Sequence, residues 1–210
     1  MSFRCCVRAC TLTHAAVPLA LAAAALLASN PAAAWVLTLT AGPKQLFLMV
    51  GVGTPGANNT TINVVSVNVP TASIGNGTAL AMTSDSAQSA SPYDGYAVCN
   101  PPGDMYVGAS YRQPNATTGP ATATLQVTTP ANLTSGTDTI PFTQIRWTSS
   151  ANGNTTADLP AGTFNGGTLF LANIGRNSFV ENCYAYSYAN SAVPPAGTYS
   201  GRAVFTLVSP

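Results

Sequence analysis

The groups able to do chemistry are few and unevenly placed. Six carboxylates, Asp85, Asp94, Asp104, Asp138, Asp158 and Glu181, make up the acidic complement, and the one histidine is His14. Two carboxylates set across a sugar bond can hydrolyse it. Asp94 and Asp104 flank Cys99 on an aromatic stretch, Tyr93-Asp-Gly-Tyr96 to Asp104-Met-Tyr106, that offers rings for a sugar to stack on. Each also stands beside a glycine, as Asp94-Gly95 and Gly103-Asp104, the pairing expected of turn residues. The turn reading is the stronger one, and Asp138 and Asp158 likewise read as loop residues. Tyrosines fall in two groups: Tyr93, Tyr96, Tyr106 and Tyr111, then Tyr184, Tyr186, Tyr188 and Tyr199. The alternation of Tyr184, Tyr186 and Tyr188 puts three rings on one face of a strand. Such a face either stacks on a surface glycan or fills a sandwich core with its hydroxyls reaching the rim. No acidic run has the spacing of a calcium loop, so no metal site is expected.

The start of the chain decides what these groups can do. Arg4 and Arg8 precede an apolar run from Ala15 to Ala28, followed by Asn30, Pro31 and the triplet Ala32-Ala33-Ala34. That order predicts a signal peptide over 1–34, cleaved after Ala34, and a single β-sandwich domain over 35–210. An uncleaved anchor is the alternative, but the run is short and broken by Pro18. Processing removes His14, Cys5, Cys6 and Cys10, leaving 176 residues with five basic and six acidic side chains. Without histidine, Ser-His-Asp and Cys-His catalysis and histidine-bound zinc are excluded. The expectation is a protein that is not an enzyme, with no catalytic residues and no cofactor. Cations scattered from Lys44 to Arg202 give no nucleic-acid footprint. No stretch of the mature chain approaches the roughly 20 apolar residues of a transmembrane span. The destination is therefore outside the cytoplasm: periplasm, cell surface or pilus, or secreted.

Export also assigns the remaining cysteines. Cys99 and Cys183 are an even count in an oxidising compartment, which predicts a disulfide between them.

The elements that must hold these groups read as strands. Short apolar runs alternate with turn residues, predicting strands at 35–40, 45–52, 61–69, 78–82, 96–99, 105–112, 122–128, 140–148, 168–172, 183–188 and 199–208. Outside the signal segment only Ser84 to Ala90 resembles helix. Trp35, Leu37 and Leu39 share one face of the first strand. Gly42-Pro43 offers a turn that would return it onto Gln45 to Val52, and the alternative is a segment that pairs with another molecule. The whole predicts an all-β, antiparallel sandwich.

The final stretch, Pro194-Pro-Ala-Gly-Thr-Tyr-Ser-Gly-Arg-Ala-Val-Phe-Thr-Leu-Val-Ser-Pro210, resembles the closing strand of pilin-like fimbrial subunits of the bacterial chaperone-usher pathway. A Pro/Ala-Gly-Thr-Tyr turn enters an alternating strand that ends the chain, with Gly197 fourteenth from the end. Ile140-Pro-Phe-Thr-Gln-Ile-Arg-Trp147 and Ala161-Gly-Thr-Phe164 also resemble segments of pilus-associated proteins. The resemblance covers 194–210 closely and the last third of the chain loosely. It implies an immunoglobulin-like sandwich lacking one strand, which a neighbour's N-terminal extension supplies. On that basis Gly197, Tyr199, Ala203, Phe205 and Leu207 belong to an assembly strand, and Trp35, Leu37 and Leu39 to a donor segment. The implied partners are a periplasmic chaperone, an usher and neighbouring pilus subunits, and the implied role is structural or adhesive. A secreted carbohydrate-binding module using Tyr184, Tyr186 and Tyr188 is the alternative.

Overall fold

The computed structural model describes residues 39–54, 62–114, 119–150 and 156–209. The expected signal peptide, with Trp35 and Leu37, lies outside them. In chain order the strands are β1 (Gln45–Val50), β2 (Val65–Ser66), β3 (Leu80–Ala81), β4 (Thr83–Ser84), β5 (Met105–Arg112), β6 (Thr122–Thr128), β7 (Asn132–Ser135), β8 (Asp138–Pro141), β9 (Ile145–Ser149), β10 (Gly162–Thr163), β11 (Thr168–Gly175), β12 (Ser178–Tyr188) and β13 (Val204–Val208). The larger sheet runs β1-β5-β12-β9-β10, with β3 also on β12, and the smaller runs β11-β6-β13. Two short ladders, β2-β4 and β7-β8, complete an antiparallel, all-β sandwich.

Side-chain alternation explains why the two sheets face each other. In β6, Ala123, Leu125 and Val127 are buried while Thr124, Gln126 and Thr128 point outward. From the opposite sheet, Val107, Ala109 and Tyr111 of β5 and Tyr184, Tyr186 and Tyr188 of β12 meet them in one apolar core. An inter-sheet core of this kind supplies most of the favourable free energy of a β-sandwich.

β5 is buried on both faces, because its other side is covered by the excursion 85–104. There Phe47, Met49, Val98, Cys99, Tyr106 and Cys183 form a second, smaller cluster. Tyr93 lies over it, its ring 5.3 Å from Phe47 and 4.1 Å from Phe179. The excursion begins where the sequence predicts a helix, and no helix forms there: Ser84 ends β4, 85–89 have no regular structure and Ala90 makes an isolated bridge. Serine hydroxyls explain the difference: Ser84 Oγ accepts from the Ser86 amide at 2.9 Å and Ser86 Oγ from the Gln88 amide at 3.4 Å. These local bonds satisfy amides that a helix would otherwise need.

Other departures have equally local causes. The expected strand 140–148 is interrupted by a 3-10 turn at Phe142–Gln144, directly after Pro141, and the residues before it form the β7-β8 hairpin. Gly136, with φ of 59°, supplies the left-handed position in that hairpin. Tyr96 to Cys99 contributes only an isolated bridge from Ala97 to Ala90. The turn at Gly42-Pro43 does not fold Leu39 back onto β1. The Leu39 amide donates to the Asn177 carbonyl at 3.0 Å, and Arg112 donates to the Thr40 carbonyl at 2.8 Å.

Candidate functional site

Both sheets end on a strand that lies next to the same opening. β1 is the last strand of the larger sheet, β13 the last of the smaller, and both line a groove of about 1200 Å³. Leu48 and Val50 of β1 and the stretch Ile62 to Val69 contribute one part of its lining, and Pro194 to Phe205 another. Met82, Met105, Phe142, Phe164, Tyr186 and Tyr188 also line it, so the groove opens directly onto the main core. An apolar opening bounded by two strand edges combines unpaired backbone groups with pockets for alternate side chains.

Each wall is held by identifiable contacts. Asp85 fixes the 62–69 stretch, its Oδ1 accepting from the Val64 amide at 2.8 Å and from Asn63 Nδ2 at 3.1 Å. On the other side, Thr134 and Ser200 exchange two backbone bonds of 2.9 and 3.0 Å that tie the C-terminal segment to β7. Gly201 permits that approach, since a side chain there would begin 2.8 Å from both Leu133 and Phe142. Gly197 likewise faces the Ser135 hydroxyl, 2.6 Å from where a Cβ would stand. Beyond them Tyr199, Ala203, Phe205 and Leu207 pack against the core, and the Tyr199 hydroxyl donates to the Pro195 carbonyl at 2.9 Å. The residues assigned to an assembly strand thus sit along the groove and on β13. Of the donor segment, only Leu39 is among the described residues.

The far end of the groove is organised by a residue that carries no sequence signal. Asn190 is fully buried with φ of 55°. Its Oδ1 accepts from the Gly75 amide at 3.1 Å, and its Nδ2 donates to Ser73 O at 2.7 Å and Asn76 Oδ1 at 2.9 Å. The side-chain amide of Asn182 plays a similar part for another loop, its Oδ1 accepting from the Leu159 amide at 2.9 Å and its Nδ2 donating to the Ser150 carbonyl.

The remaining candidates are placed on two faces of one sheet. Cys99 and Cys183 form the disulfide expected of them. It brings the Tyr93 to Tyr106 region onto the outer face of β12, whereas Tyr184, Tyr186 and Tyr188 point the other way into the core, at 0, 6 and 6 % exposure. The rings of Tyr184 and Trp147 stack 5.5 Å apart, and Tyr186 stacks parallel to Phe164 at 6.3 Å. All three rings belong to the core, with Tyr186 and Tyr188 also reaching the groove, so the outward-facing stacking surface considered for Tyr184, Tyr186 and Tyr188 is corrected to a core role. Burial holds the Tyr186 phenol well above its ordinary value, with Tyr184 adding to the effect.

On the outer face the Tyr106 hydroxyl donates to Glu181 Oε2 at 2.7 Å. Burial raises the Glu181 carboxyl, partly offset by bonds from Tyr106 and Ser91, while Asp94 pushes it up further. A lone carboxylate in the apolar run Phe179-Val-Glu-Asn-Cys183 was the visible sign of this site. Asp94 and Asp104 act as turn residues: Asp94 accepts from the Tyr96 amide and Asp104 from the Asn100 amide, each at 3.0 Å. Among the described residues there is no group of three or more metal-ligating side chains, and no helix is long and apolar enough to cross a membrane.

No family model, curated protein or solved structure matches the chain.

Proposed function

We propose that this chain is an exported, pilin-like structural or adhesive surface protein, an immunoglobulin-like sandwich completed by an extended strand from a neighbouring subunit. The observation that carries the reading is the apolar groove lined by the edge strands β1 and β13 and opening onto the core. An entering strand gains backbone partners and buries alternate side chains, the two requirements of strand addition. The segment 35–40, with Trp35, Leu37 and Leu39 on one face, has that pattern.

We read the donation as one between molecules. Leu39 is tied to Asn177, beside the end of β1 where Gln45 faces Arg112, while the groove starts three residues further along at Leu48. In this reading a periplasmic chaperone would occupy the groove before assembly and an usher would direct the exchange, with no catalytic role for the protein itself.

The test uses the mature chain lacking 35–38, which leaves the Leu39 contact in place. It is expected to lose self-association, and a synthetic 34–42 peptide should raise its Tm, while the same peptide with Leu37→Asp and Leu39→Asp should not. A deletion variant that associates like the parent, or equal shifts with both peptides, would overturn the proposal.

A further inference from the structure

The chain contains two Asn-Gly pairs among the described residues, Asn76-Gly77 and Asn165-Gly166, and the structure separates them chemically. An asparagine followed by glycine is attacked at its side-chain carbonyl carbon by the next backbone nitrogen, because glycine offers no Cβ to obstruct the approach. The two pairs share their main features. Both asparagines are exposed, and both following glycines have positive φ, 75° at Gly77 and 71° at Gly166. In both, the side-chain oxygen accepts from the amide two residues on, at 2.8 Å from Thr78 and 3.0 Å from Gly167. That bond holds the side chain over the intervening peptide and polarises the carbonyl that will be attacked.

They differ at the attacking atom. The Gly77 amide donates to the carbonyl of buried Asn190 at 2.9 Å, and the Asn76 oxygen is also bonded by Asn190 Nδ2. The Gly166 amide makes no hydrogen bond within the described residues. Base must remove the proton of the attacking N–H, so a hydrogen held against a buried carbonyl is withdrawn from the reaction and a free one is not.

We infer that Asn165 is a site of spontaneous deamidation and isoaspartate formation in the folded protein, and that the Asn190 hub protects Asn76. Hydroxide or a general base takes the Gly166 amide proton and the nitrogen bonds to Asn165 Cγ. The Cγ–Nδ2 bond breaks and ammonia leaves, closing a succinimide. Water then opens either ring carbonyl, giving aspartate or isoaspartate. The net change is one water in and one ammonia out, with no oxidant or reductant. Aspartate can keep the bond from Gly167. Isoaspartate lengthens the main chain by one atom beside Gly166, where an added carbon would already stand 3.0 Å from Ala131 Cα. The modified turn follows Phe164 of the groove directly.

The mature chain is incubated at mildly alkaline pH, with and without urea, and each site is followed by peptide mass spectrometry with isoaspartyl methyltransferase as the probe. Folded protein should convert Asn165 at least roughly fivefold faster than Asn76, the factor set by opening one hydrogen bond of about 1 kcal/mol. In urea the two rates should converge. Equal or faster conversion of Asn76 in the folded protein, or an unchanged ratio in urea, would overturn the assignment.

Discussion

Replacing Cys99 and Cys183 together with alanine should destabilise the protein heavily and chiefly through the unfolded state. The bridge closes a loop of 84 residues, for which the chain-entropy relation gives about 4.6 kcal/mol at room temperature. Against a domain stability of roughly 5 to 15 kcal/mol, that is about three tenths or more of the whole. The folded lobe explains why other contacts do not compensate. Most of its backbone bonds are internal, as in Val98 and Cys99 to the Ser89 carbonyl and Gly95 to the Ser91 carbonyl. Its backbone ties to the rest of the protein are fewer, such as Ser84 to Pro102 and Asp85 to Val64, and side-chain contacts add to them: Asp85 with Asn63, Ser91 with Glu181, and Tyr93 with Ser110, Phe47 and Phe179. Phe47 and Met49 lie under it on β1, whose neighbours Leu48 and Val50 line the groove. Urea unfolding followed by circular dichroism and tryptophan fluorescence should give the full loss together with a larger m-value, because the uncrosslinked chain exposes more surface. Hydrogen exchange should show 86–104 opening first. A loss below about 1 kcal/mol with an unchanged m-value would refute the loop-closure reasoning.

Three further outcomes are expected. Asn190→Ala should cost about 2 to 4 kcal/mol, since it leaves the Gly75 amide and the Ser73 carbonyl without their buried partner and forces a Cβ-only side chain into φ of 55°. Differential scanning calorimetry would register this, and an unchanged Tm would contradict it. Glu181, raised chiefly by burial, binds its proton more tightly in the folded protein than in the unfolded chain. Its contribution is thus fully present below the ordinary carboxylate range and lost as pH rises through the folded value. Glu181→Gln should flatten the stability–pH profile there, and a profile parallel to the parent's would count against it. Burial also raises the phenols of Tyr106, Tyr184 and Tyr186 above their ordinary value. Stability should therefore fall as pH climbs past about 10, with these three phenols ionising together with unfolding and not before it, read as a tyrosinate absorbance step that coincides with the loss of structure.

Particular residues show where sequence reasoning reached and where it stopped. Alternation in Met105 to Arg112 and Thr122 to Thr128 located β5 and β6 at their observed bounds. The strand of three alternating tyrosines was also found, and its alternation correctly placed the rings on one face. Which face met the core was not readable, because either assignment satisfies a period of two. The excursion after Ser84 was misread as helical for a different reason: helical propensity is a weak prior, and serine hydroxyls bonding two residues ahead outweighed it. The groove left no local mark at all, since its lining is drawn from stretches between Leu48 and Phe205.

The sequence by itself determined the antiparallel β class and the cysteine pair, because these depend on local alternation and on a count of two. Tertiary structure alone decided that β1 and β13 are sheet edges lining one apolar groove, that the tyrosine ladder is core, and that Asn190 closes the 73–78 loop. Each of these rests on contacts between residues far apart in the chain, such as the 115 positions between Gly75 and Asn190. Strand order, not strand propensity, determines which backbone edges remain unpaired.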